Sequence, residues 1–158
     1  MNLDLESKKV RQLGKNEQIP YDLLLLADES MEAINKYIYD SDIYILEIEN
    51  KILAVYVLQL LKKDEIEIKN IAVDKDYQGQ GIGKFLLRDA ANKAKEQGFK
   101  TMLIGTSNAS FKQLYIYQKS GFEIYDIKEN FIINNYPKPI YENGLLLKHM
   151  IMLRKTIA

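Results

Sequence analysis

The stretch Gln78-Gly79-Gln80-Gly81-Ile82-Gly83-Lys84 decides the reading of this chain. It stands between an extended segment, Glu65–Val73, and a segment with helical periodicity. Glycine lets backbone approach a bulky ligand and reach positive φ. Successive N–H groups at a helix N-terminus then point into one concavity, where the helix dipole favours an anion. The context predicts a phosphate or pyrophosphate site. Two common phosphate loops do not fit. A Walker loop needs glycine where Gln78 stands, and Ser or Thr where Phe85 follows Lys84. A dinucleotide fingerprint needs glycine at Lys84 in one register and at Leu86 in the other.

Outward from the loop, Ile82, Leu86, Ala90 and Ala94 recur every fourth residue, the stripe of an amphipathic helix that Gly98 stops. Upstream, Ile66 and Ile68 alternate with Glu65, Glu67 and Lys69, which predicts a strand with one apolar face. Residues 42–49 and 52–61 read as two further strands, joined by a turn at Asn50 and Lys51. Residues 3–13 are ambiguous and suit a short strand. Pro20 opens a helix to Ala27, and Ser30 caps a second that reaches Tyr39. Downstream, residues 101–106 form a strand. Asn108 caps a helix whose apolar stripe holds Phe111, Leu114 and Tyr115, and Gly121 ends it. Residues 122–127 form another strand. Asn143-Gly144 signals a hairpin, followed by a final strand over 145–153. This mixture predicts an α/β or α+β fold: one mostly antiparallel sheet of six or seven strands with helices on both faces. The expectation is one domain over 1–158, with core motifs in 42–127 and an aromatic loop and hairpin in 128–158.

Composition narrows the function. The 158 residues are 47% hydrophobic and 28% charged, an ordinary globular balance. Lys plus Arg and Asp plus Glu each total 22, so no global field draws the chain to nucleic acid or an anionic membrane. Without cysteine there is no disulfide, zinc-thiolate site or thiol nucleophile. One histidine, His149, makes a His-rich metal site an unexpected reading, so no metal is assigned. His149 falls in phase with Leu145, Leu147, Ile151 and Leu153, which suits a core residue. The N-terminus has acids and no apolar leader, and no apolar run is long enough to span a bilayer. The expected location is the cytoplasm.

The loop does fit the pattern Gln/Arg-x-x-Gly-x-Gly/Ala, through Gln78, Gly81 and Gly83 after Ile71-Ala72-Val73. In this it resembles the coenzyme A loop of the GNAT N-acetyltransferase superfamily. A second segment agrees: Asn108, then Ile116-Tyr117-Gln118-Lys119-Ser120-Gly121-Phe122, is similar to that family's Asn…Leu-Tyr-x-Lys-x-Gly-Phe motif. The spacing from Asn108 to Tyr117 is longer than in the commonest form. The resemblance implies an enzyme that moves the acetyl group of acetyl-CoA directly to a primary amine through a tetrahedral intermediate. It also implies a splayed central strand pair that takes the pantetheine arm against backbone at Ile71 and Val73. Ile71, Ala72, Val73, Gln78, Gly79, Gln80, Gly81, Ile82, Gly83, Lys84 and Asn108 are the cofactor-binding candidates that follow.

Amine acetylation needs a base, an oxyanion donor and an acid for the departing thiolate. For the base, the resemblance points to Glu67, acting through water; a solvated strand glutamate or a partner for Lys69 are the other readings of that residue. The Val73 N–H is the family's usual oxyanion donor. Tyr117 is the candidate acid. It lies about 120° around the helix from Phe111, away from the expected core stripe, and Tyr115 is the fallback. Asp28, Glu29, Glu32, Asp40 and Asp42 either attract a cationic amine or form an exposed acidic face. Phe131, Tyr136 and Tyr141 suit either a lid over the acceptor or a dimer contact. A homodimer through the edge of the last strand is one expectation. The acceptor is a small-molecule or peptide amine. A coenzyme A sensor without catalysis is the competing reading.

Overall fold

The computed structural model describes residues 4, 5 and 8–158. Seven strands share one sheet: β1 (Val10–Gln12), β2 (Asp42–Ile48), β3 (Lys51–Lys62), β4 (Glu65–Val73), β5 (Thr101–Ser107), β6 (Glu123–Lys128) and β9 (Met150–Thr156). Their spatial order is β1-β2-β3-β4-β5-β9-β6. Every pairing is antiparallel except β4 with β5. The hairpin β7 (Tyr141–Glu142) and β8 (Leu145–Leu146) stands apart. Of the segment expected as a strand over 3–13, β1 is the extended part; residues 3, 6 and 7 lie outside the described residues.

The central strands are apolar on both faces because helices cover both. On one face lie α1 (Tyr21–Leu24), α2 (Met31–Asn35) and a 3-10 turn at Ile38–Asp40. There Leu24, Ile34 and Ile38 pack with Ile43, Ile45, Val55 and Val57. On the other lie α3 (Ile82–Glu96) and α4 (Phe111–Lys119). The expected α3 stripe of Ile82, Leu86, Ala90 and Ala94 is buried here against Tyr44, Tyr56, Ile66 and Ile68. Burial of each large apolar side chain contributes about 1.5–3 kcal/mol. Ser30 caps α2 as expected, its hydroxyl accepting from the Ala33 N–H at 3.1 Å. The helices around it are shorter than expected, each giving way to turns or a 3-10 segment.

One irregularity shapes the centre of the sheet. Val57 pairs with Asn70 and Leu58 with Ile68, so Lys69 is an extra residue in β4. This is a β-bulge, which bends its strand and shifts the side-chain alternation by one. Ile66 and Ile68 face α3 before the bulge, and Ile71 and Val73 face it afterwards. Asn70 and Ala72 consequently turn to the α1 side. The parallel ladder between β4 and β5 runs only from Glu65 with Thr101 to Ile68 with Ile104. Beyond the bulge the two strands part, which gives the expected splay.

Two strand boundaries and the position of the last strand also differ from the sequence reading. The β2–β3 turn centres on Glu49 and Asn50, at φ 52° and 67°, one residue earlier than expected. The final strand is not continuous over 145–153: Leu145 and Leu146 belong to the hairpin turned by Asn143 and Gly144, and β9 starts at Met150. Nor is β9 an edge, since β5 and β6 flank it; the edge strands are β1 and β6. The dimer contact expected at that edge therefore has no free backbone on β9.

Asn108 and His149 act in this C-terminal region. The Asn108 Oδ1 accepts from the N–H groups of Lys148 and His149 at 2.8 and 3.0 Å, and its Nδ2 donates to the Leu146 carbonyl at 3.3 Å. His149 is half-buried, and its Nδ1 accepts the Asn130 N–H at 2.9 Å. Asn108→Ala should lower the unfolding free energy by about 1–3 kcal/mol, the cost of leaving partly buried backbone groups unpaired. Urea unfolding measures this; an unchanged midpoint would show that the fastening carries no stability.

Candidate active site

The gap between β4 and β5 opens into a cavity of about 760 Å3. Register decides which backbone groups face it. The Asp74 N–H donates to the Leu53 carbonyl at 2.8 Å, so the facing pair Ala54 and Val73 exchanges no bonds of its own. In an antiparallel ladder this turns the N–H of Val73, and of Ile71 two residues earlier, away from β3 and into the gap. β5 does not pair with either residue. The sheet thus offers unpaired backbone donors along one wall of the cavity.

The glycine loop closes one end. Gly79 and Gly81 have φ of 80° and 84°, values that a side chain at either position would strain. Gly81 is the N-cap of the 15-residue helix α3 and supplies no side-chain cap. The first bond within α3 runs from the Phe85 N–H to the Gly81 carbonyl at 3.1 Å. The N–H groups of Ile82, Gly83 and Lys84 therefore have no partner within the helix, and the dipole adds partial positive charge there. A Cβ built on Gly79, Gly81 or Gly83 meets nothing within 4 Å, so the space before these donors is open. The Gln78 side chain turns inward, its Nε2 donating to the Val73 carbonyl at 3.0 Å, which ties the loop to the end of β4. A second recess of about 420 Å3 adjoins Gly81 and Lys84, and Arg88, Lys119 and Lys155 also line it. This end of the site suits an extended polyanion.

Tyr117 lines the cavity, but for a different structural reason than the sequence suggests. Phe111 and Tyr115 are 52% and 63% exposed, whereas Tyr117 is 7% exposed within the core cluster beside Phe122. The buried stripe of α4 is Leu114, Tyr117 and the flank of Ile116, so Tyr117 packs inward and Tyr115 does not. Burial pushes the Tyr117 phenol above its ordinary value. It stays protonated at neutral pH and above, the state required of an acid.

The remaining candidates divide. Ile71, Ala72, Val73, Gln78, Gly79, Gly81, Ile82, Gly83 and Lys84 all line the cavity. Gln80, Glu67 and Asn108 do not. Gln80 is an exposed loop residue. Glu67 precedes the bulge on the α1 side of the sheet and lies 3.7 Å from the Lys69 ammonium, the ion-pair reading of that residue. Asn108 cannot turn to the cavity without releasing the hairpin. In its place Ser107 and Ser110 reach the lining: their hydroxyls are 2.7 Å apart, and the Ser110 hydroxyl donates to the Glu142 carboxylate at 2.7 Å.

The other end of the cavity joins Asp28 and Tyr136, both expected near an acceptor, to Asn70 and Tyr37, which the sequence does not single out. Asn70, 4% exposed, donates from Nδ2 to the Leu24 carbonyl at 3.0 Å and to the Tyr37 hydroxyl at 3.1 Å. Tyr37 donates in turn to Asp28 at 3.1 Å, and Tyr136 donates to Asp28 at 2.8 Å. Burial raises the phenols of both tyrosines, and the Asp28 charge adds to the rise. Tyr136 follows the short helix α5 (Phe131–Asn135), so its bond to Asp28 draws the aromatic segment across the cavity. Of the three aromatics of that segment, Tyr136 and Tyr141 line the cavity and Phe131 does not. An asparagine among the isoleucines of a central strand was the available sequence signal, because Asn is depleted in strands.

Comparison with known proteins identifies the family. The acetyltransferase (GNAT) domain profile matches residues 39–124. The chain is 40% identical over 152 residues to the "uncharacterized N-acetyltransferase YvbK" of Bacillus subtilis (strain 168), covering 94% of this chain and 97% of that one. A GNAT family acetyltransferase from Elizabethkingia anophelis, solved with acetyl-CoA bound, superposes with a TM-score of 0.92 at 45% identity, over 96% of this chain and 99% of that one. A Bacillus subtilis acetyltransferase solved in complex with CoA gives 0.88 at 37% identity, over 95% and 99%. With this fold, this loop and these relatives, the chain belongs to the GNAT family of acetyltransferases.

Proposed function

We propose that this enzyme transfers the acetyl group of acetyl-CoA directly to a primary amine of a small molecule. The observation that carries the reading is the splayed gap with two unlike ends. Unpaired helix N–H groups and lysines stand at one end, and a lidded cluster of hydrogen-bond acceptors stands at the other. Coenzyme A is a polyanion joined to an amide-bearing arm, and both parts find complementary groups. The α3 N-terminus suits its pyrophosphate, and the recess with Lys119 and Lys155 suits its remaining phosphate. The arm's amides suit the inward backbone groups of β4, as an added strand would.

The residues then divide the chemistry. The amine nitrogen attacks the thioester carbonyl, forming the new C–N bond. The oxygen takes up negative charge, for which the Val73 N–H is the placed donor; such a donor contributes about 3 kcal/mol. The adduct collapses as the C–S bond breaks. Tyr117 gives its proton to the sulfur and regains one from solvent. A base must take the proton that the amine loses. Glu67, set back behind the bulge, serves through water, while Glu142, which accepts from the Ser110 hydroxyl, lines the cavity itself. The lid favours a small acceptor over a protein chain, because the Tyr136 bond to Asp28 would have to break to admit a polypeptide.

Thiol release from acetyl-CoA with a panel of small amines and a short peptide tests the reading directly. Turnover with small amines supports it. Turnover with the peptide alone would overturn the choice of acceptor. Tight binding without turnover would favour the sensor. Tyr117→Phe should lower kcat by roughly 10²-fold or more, as expected for loss of a general acid, with acetyl-CoA affinity unchanged. Because burial raises this phenol, wild-type kcat should show no alkaline loss from it below its ordinary value of 10. An equal fall in kcat and affinity would make Tyr117 a packing residue. Gly81→Ala should weaken acetyl-CoA binding about tenfold, since the left-handed conformation costs a side chain roughly 1–2 kcal/mol. Titration calorimetry reads this, and an unchanged affinity would remove the loop from the site.

A further inference from the structure

The lidded end of the cavity presents hydrogen-bond acceptors whose full complement is not met from within the chain. Asn70 is the clearest case. Leu24 offers it only a carbonyl oxygen, which fixes Nδ2 on that side. Both Nδ2 protons are then used, on Leu24 and Tyr37. Its Oδ1 is buried without a hydrogen-bond partner, and Asn70 lines the cavity. A buried acceptor left unpaired is costly, so retaining it signals a donor from elsewhere.

Asp28 is the second acceptor. Its Oδ1 receives the Tyr136 hydroxyl and the Glu29 N–H, both at 2.8 Å, and its Oδ2 receives the Tyr37 hydroxyl at 3.1 Å. A carboxylate offers about four acceptor positions, so Oδ2 can take one more donor. Glu29 and Glu142 also line this cavity. Lys69 is matched by Glu67 at 3.7 Å and lies over the Tyr37 ring at 5.6 Å; Lys112 also lines the cavity, against the three carboxylates of Asp28, Glu29 and Glu142. A ligand that carries donors and positive charge fits such surroundings, and one that carries a carboxylate does not. Leu25, Leu26, Ile132 and Ile140 supply an apolar wall for a short carbon chain.

We propose that Asn70 Oδ1 and Asp28 form the binding site of a small cationic aliphatic amine, with Tyr136 closing over it. This rests on reading the chain as an amine acetyltransferase and names its substrate class. Asn70 is a positioning residue: an amide oxygen accepts an N–H of the nucleophile without removing its proton, and so orients the nitrogen lone pair. Asp28 supplies the counter-charge through a carboxylate that three donors hold in place.

The test is calorimetric titration of the CoA-loaded protein with 1,4-diaminobutane and, separately, with glutamate, beside acetyl transfer to each. The wild type should bind and acetylate the diamine and reject glutamate. Asp28→Asn keeps the shape and removes the charge; it should weaken diamine binding by about tenfold or more and leave CoA affinity unchanged. In the wild type, the Asn70 side-chain amide resonance should move when the diamine is added. Tyr136→Phe provides a second variant should Asp28→Asn fold poorly, and it should also weaken the diamine selectively. Equal affinity for glutamate, or a diamine affinity indifferent to both substitutions, would overturn the site. Asp28-dependent binding without acetyl transfer would sustain the site and defeat the transferase reading. Transfer that is indifferent to Asp28 would do the reverse.

Discussion

One extra residue in one strand organises the whole molecule. Lys69 has no partner in β3, and the bulge it makes bends β4 away from β5 after only four paired positions. Ordinarily, unpaired backbone in the middle of a sheet is a defect, because each buried N–H needs an acceptor. Here the unpaired backbone lines the cavity instead. The N–H groups of Ile71 and Val73 face a gap that a flat sheet would have closed. The bulge also reverses the strand's alternation, so Asn70 turns to the α1 side while Ile71 and Val73 keep their apolar contacts beneath α3.

The rest of the fold supports that gap. Tyr56 is fully buried and stacks on Tyr44 with ring centroids 4.9 Å apart; its hydroxyl donates to Asp89 on α3 at 2.7 Å. That bond anchors α3 to the sheet, and the α3 N-terminus is thereby held at the mouth of the gap. On the far side, Asn108 fastens the C-terminal hairpin, which brings Glu142 to Ser110. The recess beside Lys84 is lined also by Arg88, Lys119 and Lys155, and the larger cavity by the carboxylates of Asp28, Glu29 and Glu142 together with Lys69, Lys84 and Lys112.

Much of this was legible in the sequence, for identifiable reasons. The glycine loop was legible because positive φ at Gly79 and Gly81 restricts residue choice, and the α3 stripe because burial against a sheet imposes a helical period. β4 was found to the residue, since alternating Ile and Glu admit one reading. The bulge was not legible, because Lys69 looks like one more polar member of the alternation. The face of α4 was misread for a related reason. Leu114 packs inward as expected, but Phe111 and Tyr115 are as apolar as Tyr117, and only the position of the sheet decides which of them joins it. Asn108 fitted a motif by type, but its side chain is used by the backbone of a hairpin some forty residues later, a long-range contact that local spacing does not report. The Asp28, Tyr37, Asn70 and Tyr136 network joins four separate elements in the same way.

The most direct test of the open backbone edge is amide hydrogen exchange, read residue by residue, with and without acetyl-CoA. Exchange at Ile71 and Val73, and at Ile82, Gly83 and Lys84, should slow when acetyl-CoA binds, because those N–H groups then gain acceptors. If acetyl-CoA binds while exchange at Ile71 and Val73 is unchanged, the gap between β4 and β5 does not receive it, and the central role given to the bulge falls.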